Sequence, residues 1–257
     1  MALHFLTPDA AHAVAGRVLT LTGAEAHHAA TVRRVRTGER ITLGDGAGTW
    51  VTAECVQVGP KQVDVRVLTR EDVPPPSPRL VLVQALAKGD RDELAVQAAT
   101  ELGADEIIPW QASRSVSRWA PASWRSGSGS EEPAKAAKGR IRWEAIVREA
   151  AKQAHRPWVP AVGTLVSTAD LAVRARDARI LVLEPSARQP LSRLDMDAAD
   201  GRDVAVVVGP EGGIAPDELD ALAEAGAVRV RLGETVLRTS TAGPAALAVV
   251  STLLGRW

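Results

Sequence analysis

The sequence predicts an α/β protein, with a small N-terminal β-barrel followed by a larger α/β domain built on a mostly parallel sheet. Three observations lead to this prediction. A proline-rich break over residues 73–79 divides the chain. The segment before the break consists of short strands, and the segment after it alternates apolar strands with helices. Alternation of strands and helices is typical of a parallel sheet that is covered by helices on both faces.

The break is marked by four prolines within residues 74–78. Proline cannot continue a helix or a central strand, and a run of prolines stiffens a linker. We therefore predict domains over residues 1–72 and 80–257, joined by a linker over residues 73–79.

The first domain is predicted to be a barrel because its strands are short and are separated by glycine and aspartate turns. A glycine-rich hairpin loop is expected at residues 44–48, and a helix at residues 23–34. The predicted strands cover residues 17–21, 40–43, 50–58 and 62–69.

The second domain is predicted from short, uniformly apolar runs, as in strands that are covered on both faces. The predicted strands cover residues 79–87, 106–110, 180–183, 204–208 and 228–232. Helices are expected over residues 90–102, 140–154, 216–225 and 241–254. Residues 120–138, rich in Ser, Gly, Ala and charged side chains, predict a mobile loop that interrupts this order.

Charge is balanced overall, with 31 basic and 31 acidic residues, but it is unevenly distributed. Residues 110–160 carry ten basic and four acidic side chains, and 26 of the 31 basic residues are arginine. The planar guanidinium donates two hydrogen bonds to one phosphate, so this region favours nucleic-acid contact. A genome rich in G and C would also favour arginine, and that alternative stays open.

Several classes of protein are disfavoured. No apolar run approaches the roughly 18 residues that span a membrane, and the first residues lack the pattern of a signal peptide, so we expect a cytoplasmic protein. The single cysteine, Cys55, rules out an intrachain disulfide and a cysteine-based zinc site. The histidines show no metal-ligand spacing, and we expect no metal.

The strongest local motif is the GPEGG turn at residues 209–213, between a buried strand and a helix that begins near Pro216. Glycines let a ligand approach the backbone, and amides at a helix start can bind an acceptor. Ligands of parallel sheets bind beyond the carboxyl ends of the strands. A plain strand-to-helix turn explains the glycines equally well. The motif is neither a dinucleotide fingerprint nor a phosphate loop.

A second motif, RLGETVLRTSTAGP, covers residues 231–244. A strand ends at a glycine, and a helix follows a Thr/Ser cluster in which Thr239 or Ser240 is the predicted cap. A well-capped C-terminal helix is the alternative interpretation of this motif.

Together, GPEGG and the LGxxxLRTxTA pattern about twenty residues later resemble the RsmE family, which belongs to the SPOUT class of knotted RNA methyltransferases. Three further stretches resemble the family's motifs, at residues 27–38 (HHAATVRRVRTG), 88–103 (KGDR through TELG) and 148–156 (REAAKQAHR). The five motifs occur in the family's order and cover nearly the whole chain.

The resemblance implies a PUA-like barrel that helps to hold RNA and a SPOUT domain with a C-terminal trefoil knot. It also implies a homodimer that uses S-adenosyl-L-methionine to methylate N3 of a uridine in 16S rRNA, the 1498-type site, on the small ribosomal subunit. The alternatives are a SPOUT enzyme acting on a ribose 2′-hydroxyl, a non-catalytic RNA-binding protein of ribosome assembly, and a metabolic enzyme that binds a nucleotide at the GPEGG turn.

The resemblance places the cofactor on three stretches, each following a strand. The residues implied are Leu183, Glu184, Pro185, Gly209, Glu211, Gly212, Gly213, Leu232, Gly233, Leu237, Arg238, Thr239 and Ala242. Ser240 stands where the family often has glutamate, which puts a carboxylate role there in doubt.

For catalysis we expect Arg238 and Arg156 to stabilise negative charge on the uracil and Glu149 to accept the N3 proton. Water could instead accept the proton, and Glu149 could be a surface acid paired with Arg148 or Lys152. Basic clustering and the family motifs give the RNA-contact candidates His27, Arg33, Arg34, Arg36, Lys88, Arg114, Lys152 and Arg156. The tryptophans beside basic residues, Trp119, Trp124 and Trp143, either stack on bases or pack in the core.

Overall fold

The computed structural model describes residues 3–121, 123–124 and 132–257 of the chain. The chain forms two compact units. The first extends to Pro75 and also takes in residues 151–159; the second comprises residues 76–150 and 160–257. The single boundary drawn at residues 73–79 is therefore a simplification, because a segment from the middle of the predicted second domain packs with the first.

The first unit is a five-stranded sheet in the order β1-β3-β4-β5-β2. Its strands are β1 (Leu3–Leu6), β2 (Val18–Thr22), β3 (Arg40–Gly44), β4 (Thr49–Val58) and β5 (Gln62–Asp72). The pair β1–β3 is parallel, and the other neighbours are antiparallel. Alternate residues of β4 and β5 are buried, so one face of each strand builds the core.

The four strands predicted in this unit are present, but β1 was missed. It is four residues long, and its partner lies far along the chain. The predicted helix at residues 23–34 is also shorter than expected. Helix α1 (Gly23–His27) continues as a π-helical turn over His28–Val32, and Arg34 adopts a positive φ of 54° beyond it.

The second unit contains a seven-stranded, entirely parallel sheet in the order β10-β12-β9-β11-β6-β7-β8. Its strands are β6 (Leu80–Ala85), β7 (Glu106–Trp110), β8 (Ala161–Val162), β9 (Arg179–Leu183), β10 (Gln189–Pro190), β11 (Val204–Val208) and β12 (Val228–Arg231). All residues of β6 and β11 are buried, which confirms the inference from their uniformly apolar sequences. The two-residue strands β8 and β10 are too short to leave a pattern.

The helices of this unit are α2 (Arg91–Glu101), α3 (Ala134–Gln153), α4 (Thr168–Arg174), α5 (Pro216–Glu224) and α6 (Thr239–Leu253). Helix α3 begins at Ala134 rather than at residue 140, because the AKAAK run consists of strong helix formers. The mobile loop expected at residues 120–138 is therefore wrong for residues 134–138. Residues 122 and 125–131 of that loop lie outside the described residues.

The unpredicted α4 is short and depends on a local cap. Ser167 accepts a hydrogen bond from the Asp170 amide, and the Asp170 carboxylate accepts one from the Ser167 amide. Across the described part of the chain, no helix is long and apolar enough to cross a bilayer. The trefoil knot implied by the family resemblance stays a prediction.

Candidate active site

The carboxyl ends of β9, β11 and β12 open onto one cavity of about 620 Å³. These strands are close neighbours at the centre of the parallel sheet, so the segments that follow them emerge at the same edge. This is the position at which the GPEGG turn and the LGxxxLRTxTA motif were expected to meet.

Twelve of the thirteen residues assigned to the cofactor from the sequence line this cavity: Leu183, Glu184, Pro185, Gly209, Glu211, Gly213, Leu232, Gly233, Leu237, Arg238, Thr239 and Ala242. Gly212 does not line it; its carbonyl accepts a hydrogen bond of 3.2 Å from Arg114 Nη1. Ser240 is also absent from the lining. The structure therefore brings three stretches that are distant in sequence to one place.

The sequence interpretation missed several side chains of the cavity wall. Val208, Ile214 and Val230 supply apolar surface, and Arg91 and Arg231 add positive charge. Arg114, expected to contact RNA, lines the same cavity. Val208, Val230 and Arg231 are ordinary strand residues in sequence, and only the strand order shows that they share a site.

Thr239 joins the stretches that follow β11 and β12. Its hydroxyl donates to the Gly209 carbonyl at 2.9 Å and accepts from Gln84 Nε2 at 2.9 Å. The expectation that Thr239 or Ser240 caps α6 is wrong, since the N-cap position is Arg238 and no side chain caps it. The hydroxyl instead fixes the start of α6 against the GPEGG turn. A signal was present in the sequence, because Gln84 is the one polar residue in the apolar run of β6.

Glu211 joins the GPEGG turn to the loop before α2. Its Oε1 accepts hydrogen bonds from the Lys88 amide at 3.0 Å and from Arg91 Nη1 at 2.9 Å. Partial burial alone raises the pKa of the Glu211 carboxyl, but hydrogen bonds from its own amide, the Lys88 amide and Arg91 outweigh that effect and lower the pKa below its usual value. The Glu211 carboxylate thus holds the loop that carries Lys88.

Glu218 of α5 performs a similar task on the other side of the turn. The buried carboxylate accepts hydrogen bonds from the amide and hydroxyl of Ser113, the hydroxyl of Thr168 and the amide of Ala215. Because Ser113 precedes Arg114, this carboxylate fixes the segment that places Arg114 at the cavity.

Two glycines of the turn are required by their surroundings. A Cβ on Gly209 would lie 2.7 Å from Cγ1 of Ile214, so the close approach of Ile214, at the end of the same turn, excludes a side chain. Gly213 has a φ of +72°, a conformation that other residues rarely adopt. The turn leaves backbone groups at the cavity surface without side chains to cover them.

The three residues predicted to act in catalysis, unlike most of the predicted cofactor residues, do not all lie at the cavity. Arg238 lines the cavity, whereas Glu149 is an exposed residue of α3 that does not. Arg156 belongs to the first unit, where it is half-buried. The three residues therefore do not form one cluster within the second unit.

The structure contradicts one of the predicted RNA contacts, that of Lys152. Its side chain is only 6% exposed, and its Nζ forms an ion pair of 2.9 Å with Glu25 in the same unit. A buried, paired ammonium group is not available to phosphates. The other candidates outside the cavity are more accessible: His27, Arg33, Arg34, Arg36 and Lys88 are exposed. Within the described ranges, no group of three His, Cys, Asp or Glu side chains is placed to hold a metal.

Comparison with known proteins gives consistent matches. An RNA methyltransferase domain matches residues 74–251, and an RNA methyltransferase PUA domain matches residues 21–68. A Mycobacterium bovis protein named ribosomal RNA small subunit methyltransferase E is 46% identical over 247 residues, covering 94% of this chain and 89% of that protein.

Solved structures show the same likeness over the whole chain. A ribosomal RNA small subunit methyltransferase E from Neisseria gonorrhoeae, bound to S-adenosylmethionine, has a TM-score of 0.82 at 28% identity, covering 99% of this chain and 98% of that one. A methyltransferase from Legionella pneumophila in complex with the same cofactor has a TM-score of 0.80 at 28% identity, covering 98% of each chain.

Proposed function

Since the chain belongs to the ribosomal RNA small subunit methyltransferase E family, it is an S-adenosylmethionine-dependent rRNA methyltransferase, and we propose that its target is N3 of the 1498-type uridine of 16S rRNA. We further propose that it acts as a cytoplasmic homodimer on the assembled small subunit. The observation that carries the proposal is the single cavity that gathers the motifs following β9, β11 and β12.

The residues of the cavity fit S-adenosylmethionine. A volume of about 620 Å³ lies within the usual range for sites of small ligands. Apolar side chains such as Leu183, Val208 and Ile214 suit an adenine ring, and the bare backbone at Gly209 and Gly213 offers hydrogen bonds. The stretches after the three strands would hold the cofactor, as the family resemblance implies. When bound, it supplies a methyl group on a positively charged sulfur.

The chain's own task is to orient uridine N3 and to stabilise the loss of its imide proton. Arg238 lines the cavity and is the residue placed to donate hydrogen bonds to the uracil oxygens as negative charge develops there. We propose that Arg156 adds to this charge stabilisation. Arginine cannot serve as the base, because its guanidinium keeps its proton at neutral pH.

The proton acceptor is proposed to be Glu149 or water. Glu149 does not line the cavity of its own chain, so its role as base requires a second subunit to bring α3 to that cavity. This requirement links the proposed base to the proposed dimer: a variant that stays monomeric would retain cofactor binding and lose methylation.

Nucleoside mass spectrometry tests the proposal. Labelled S-adenosylmethionine is supplied with small subunits that lack the methyl group and, separately, with naked 16S rRNA. The expected result is labelled 3-methyluridine at one site, formed on the subunits. A 2′-O-methyl product would overturn the target but keep the enzyme class. No transfer and no cofactor binding would favour the non-catalytic RNA-binding protein.

Substitutions test which residues take part in methyl transfer. Arg238→Ala is expected to lower the rate of transfer by about a hundredfold or more, as for loss of a donor to a developing negative charge. Arg176→Ala removes an exposed arginine that lies two residues after α4 and does not line this cavity, and it serves as the matched control with unchanged activity. Equal activity in both variants would exclude Arg238 from the chemistry.

A further inference from the structure

A second cavity, of about 350 Å³, lies in the methyltransferase unit between the start of α2, one face of α3 and the segment at residues 117–119. The mechanism above uses none of its side chains. It is lined by Ala87, Gly89, Asp92, Glu93, Ser117, Trp119, Lys135, Lys138, Gly139, Arg142 and Trp143. An aromatic wall and several charged groups thus converge in one place.

The aromatic wall is Trp119, and its position is fixed on three sides. A Cβ on Gly139 would lie 2.5 Å from Cζ2 of the indole, so the ring lies directly against the backbone of α3. The indole also makes an edge-on contact with Trp143, at 5.1 Å between ring centroids. The carboxamide oxygen of Gln111 accepts the Trp119 amide at 2.9 Å. Both indoles line the cavity, but Trp143 is only 1% exposed and belongs to the core, whereas Trp119 is half-buried and presents more of its surface.

Three cations lie on one face of α3, because Lys135, Lys138 and Arg142 are spaced three and four residues apart. Arg142 forms an ion pair of 2.8 Å with Glu93. Among the described residues, Lys135 and Lys138 have no ion-pair partner, and both are exposed. Two unneutralised ammonium groups beside a fixed indole suit a ligand that has both a phosphate and an aromatic ring.

The opposite end of the cavity is acidic and rigid. Asp92 is buried, and its carboxylate accepts hydrogen bonds from the amides of Ala87 at 3.2 Å and Glu93 at 2.9 Å. The neighbouring Glu93 is neutralised by Arg142. Oxygen atoms at this end can accept hydrogen bonds from the N–H groups of a base, while the phosphate is directed to the lysines.

The second cavity shares its walls with the first. The start of α2 gives Arg91 to the first cavity and Asp92 to the second. The segment after β7 gives Arg114 to the first cavity and Trp119 to the second. The two cavities therefore lie next to each other within the same unit, on either side of the start of α2 and the segment after β7.

We propose that the second cavity binds a neighbouring nucleotide of the RNA substrate, with its base stacked on Trp119 and its phosphate held by Lys135 and Lys138. This inference rests on the proposed function, since it concerns the same substrate. Stacking of unpaired bases on aromatic side chains, together with a positively charged path for the backbone, is the usual way in which single-stranded RNA is bound.

The test is the affinity for unmethylated small subunits and for a 16S rRNA fragment that contains the target site. The variant Lys135→Ala/Lys138→Ala is expected to raise the Kd by about tenfold and to reduce the slope of log Kd against log salt by about 1.4, which corresponds to two lost phosphate contacts. Gly139→Ala displaces the indole into the cavity and is expected to raise the Kd by about tenfold without removing any charge. Affinity for S-adenosylmethionine stays unchanged in both variants.

The control is Arg176→Ala/Arg193→Ala, which removes two exposed charges of the same unit that line neither cavity. RNA affinity equal to that of the control in the lysine variant overturns the inference. The two lysines are exposed, so this variant decides the matter even if Gly139→Ala does not fold. Failure of the wild type to transfer methyl groups while the lysine variant still weakens RNA binding would instead overturn the proposed function alone.

Discussion

The two units of the chain bury polar side chains for different purposes. In the first unit, His4 and Thr42 are buried beside Trp50, and Lys152 of the returning segment is buried against Glu25. In the second unit, buried polar groups such as Gln84, Glu218 and Thr239 lie at the carboxyl ends of the strands and shape a cavity. In the first unit the buried polar side chains hold residues 151–159 in place, whereas in the second unit they shape a binding site.

The largest expected effect concerns the close packing beneath that site. A Cβ on Gly243 of α6 would lie 2.8 Å from Cδ1 of Leu82 and 3.2 Å from Cγ2 of Val208. Gly243→Val is expected to lower the free energy of unfolding by about 4 kcal/mol, because α6 must move away from the sheet. It should also weaken cofactor binding, since Thr239 moves with the helix.

Denaturant titration and calorimetric measurement of S-adenosylmethionine binding check this prediction. Gly233→Ala is the matched control for the unfolding measurement alone, because a Cβ there meets nothing within 4 Å in the protein, whereas Gly233 itself lines the cofactor cavity. Equal stability of the two variants would show that α6 is not held closely against β6 and β11.

For the first unit, the test is the free energy of unfolding as a function of pH, which depends on the buried His4. Burial, followed by the charges of His155 and Lys152, lowers the pKa of His4 from 6.5 to about 4. Between these values the unfolded chain binds the proton more tightly, so acidification from pH 6.5 to 4 removes about 3 kcal/mol of stability. His4→Phe should lack this part of the pH dependence. Identical slopes of unfolding free energy against pH in both proteins would contradict the assignment.

Asp92 of the second unit is expected to respond in the opposite direction. Burial, only partly offset by hydrogen bonds from the Ala87 and Glu93 amides, raises the pKa of Asp92 from 3.8 to about 6. The folded protein therefore binds the proton more tightly, and this residue adds up to about 3 kcal/mol of stability as the pH falls from 6 to 3.8. Unfolding of Asp92→Asn over the same range should show a loss of stability relative to the wild type; a constant difference would disprove the shift.

The smallest expected loss of stability concerns Glu218, because Glu218→Gln leaves the apolar core unchanged. In Glu218→Gln, an amide NH₂ replaces one of two oxygens that accept from Ser113, Thr168 and Ala215, and we expect a loss of about 2 kcal/mol. Glu224→Gln, at an exposed position of the same helix, is the control and should change stability little. Thermal unfolding of the two variants provides the comparison.

The apolar strands of the second unit could be predicted because burial on both faces leaves a continuous signal in the sequence. The strands predicted at residues 106–110 and 204–208 have the observed bounds. The GPEGG turn was found because glycine is required there locally. Strand β1 and helix α4 were missed because both are short, and β1 depends on a partner elsewhere in the chain.

The contacts that hold the site together were beyond prediction because they join distant parts of the chain. Gln84 and Thr239 are separated by 155 positions, and nothing local to either residue indicates the other. Lys152 was assigned to RNA because it lies in a basic stretch, but Glu25, 127 positions earlier, neutralises it. The charge pattern along a sequence therefore predicts whether a charged side chain is exposed only when its ion-pair partner is close in sequence.

The attachment of residues 151–159 to the first unit also has a consequence for biosynthesis. The translating ribosome completes the strands of the barrel by residue 72, but Lys152 and His155 are added about eighty residues later. At about 5–20 residues per second, that interval lasts roughly 4–16 s. During this time the nascent barrel lacks the ammonium group of Lys152 that pairs with Glu25, and the imidazole of His155 that lies beside the His4–Trp50 stack. We therefore expect chaperone binding to the nascent chain to matter most in this interval.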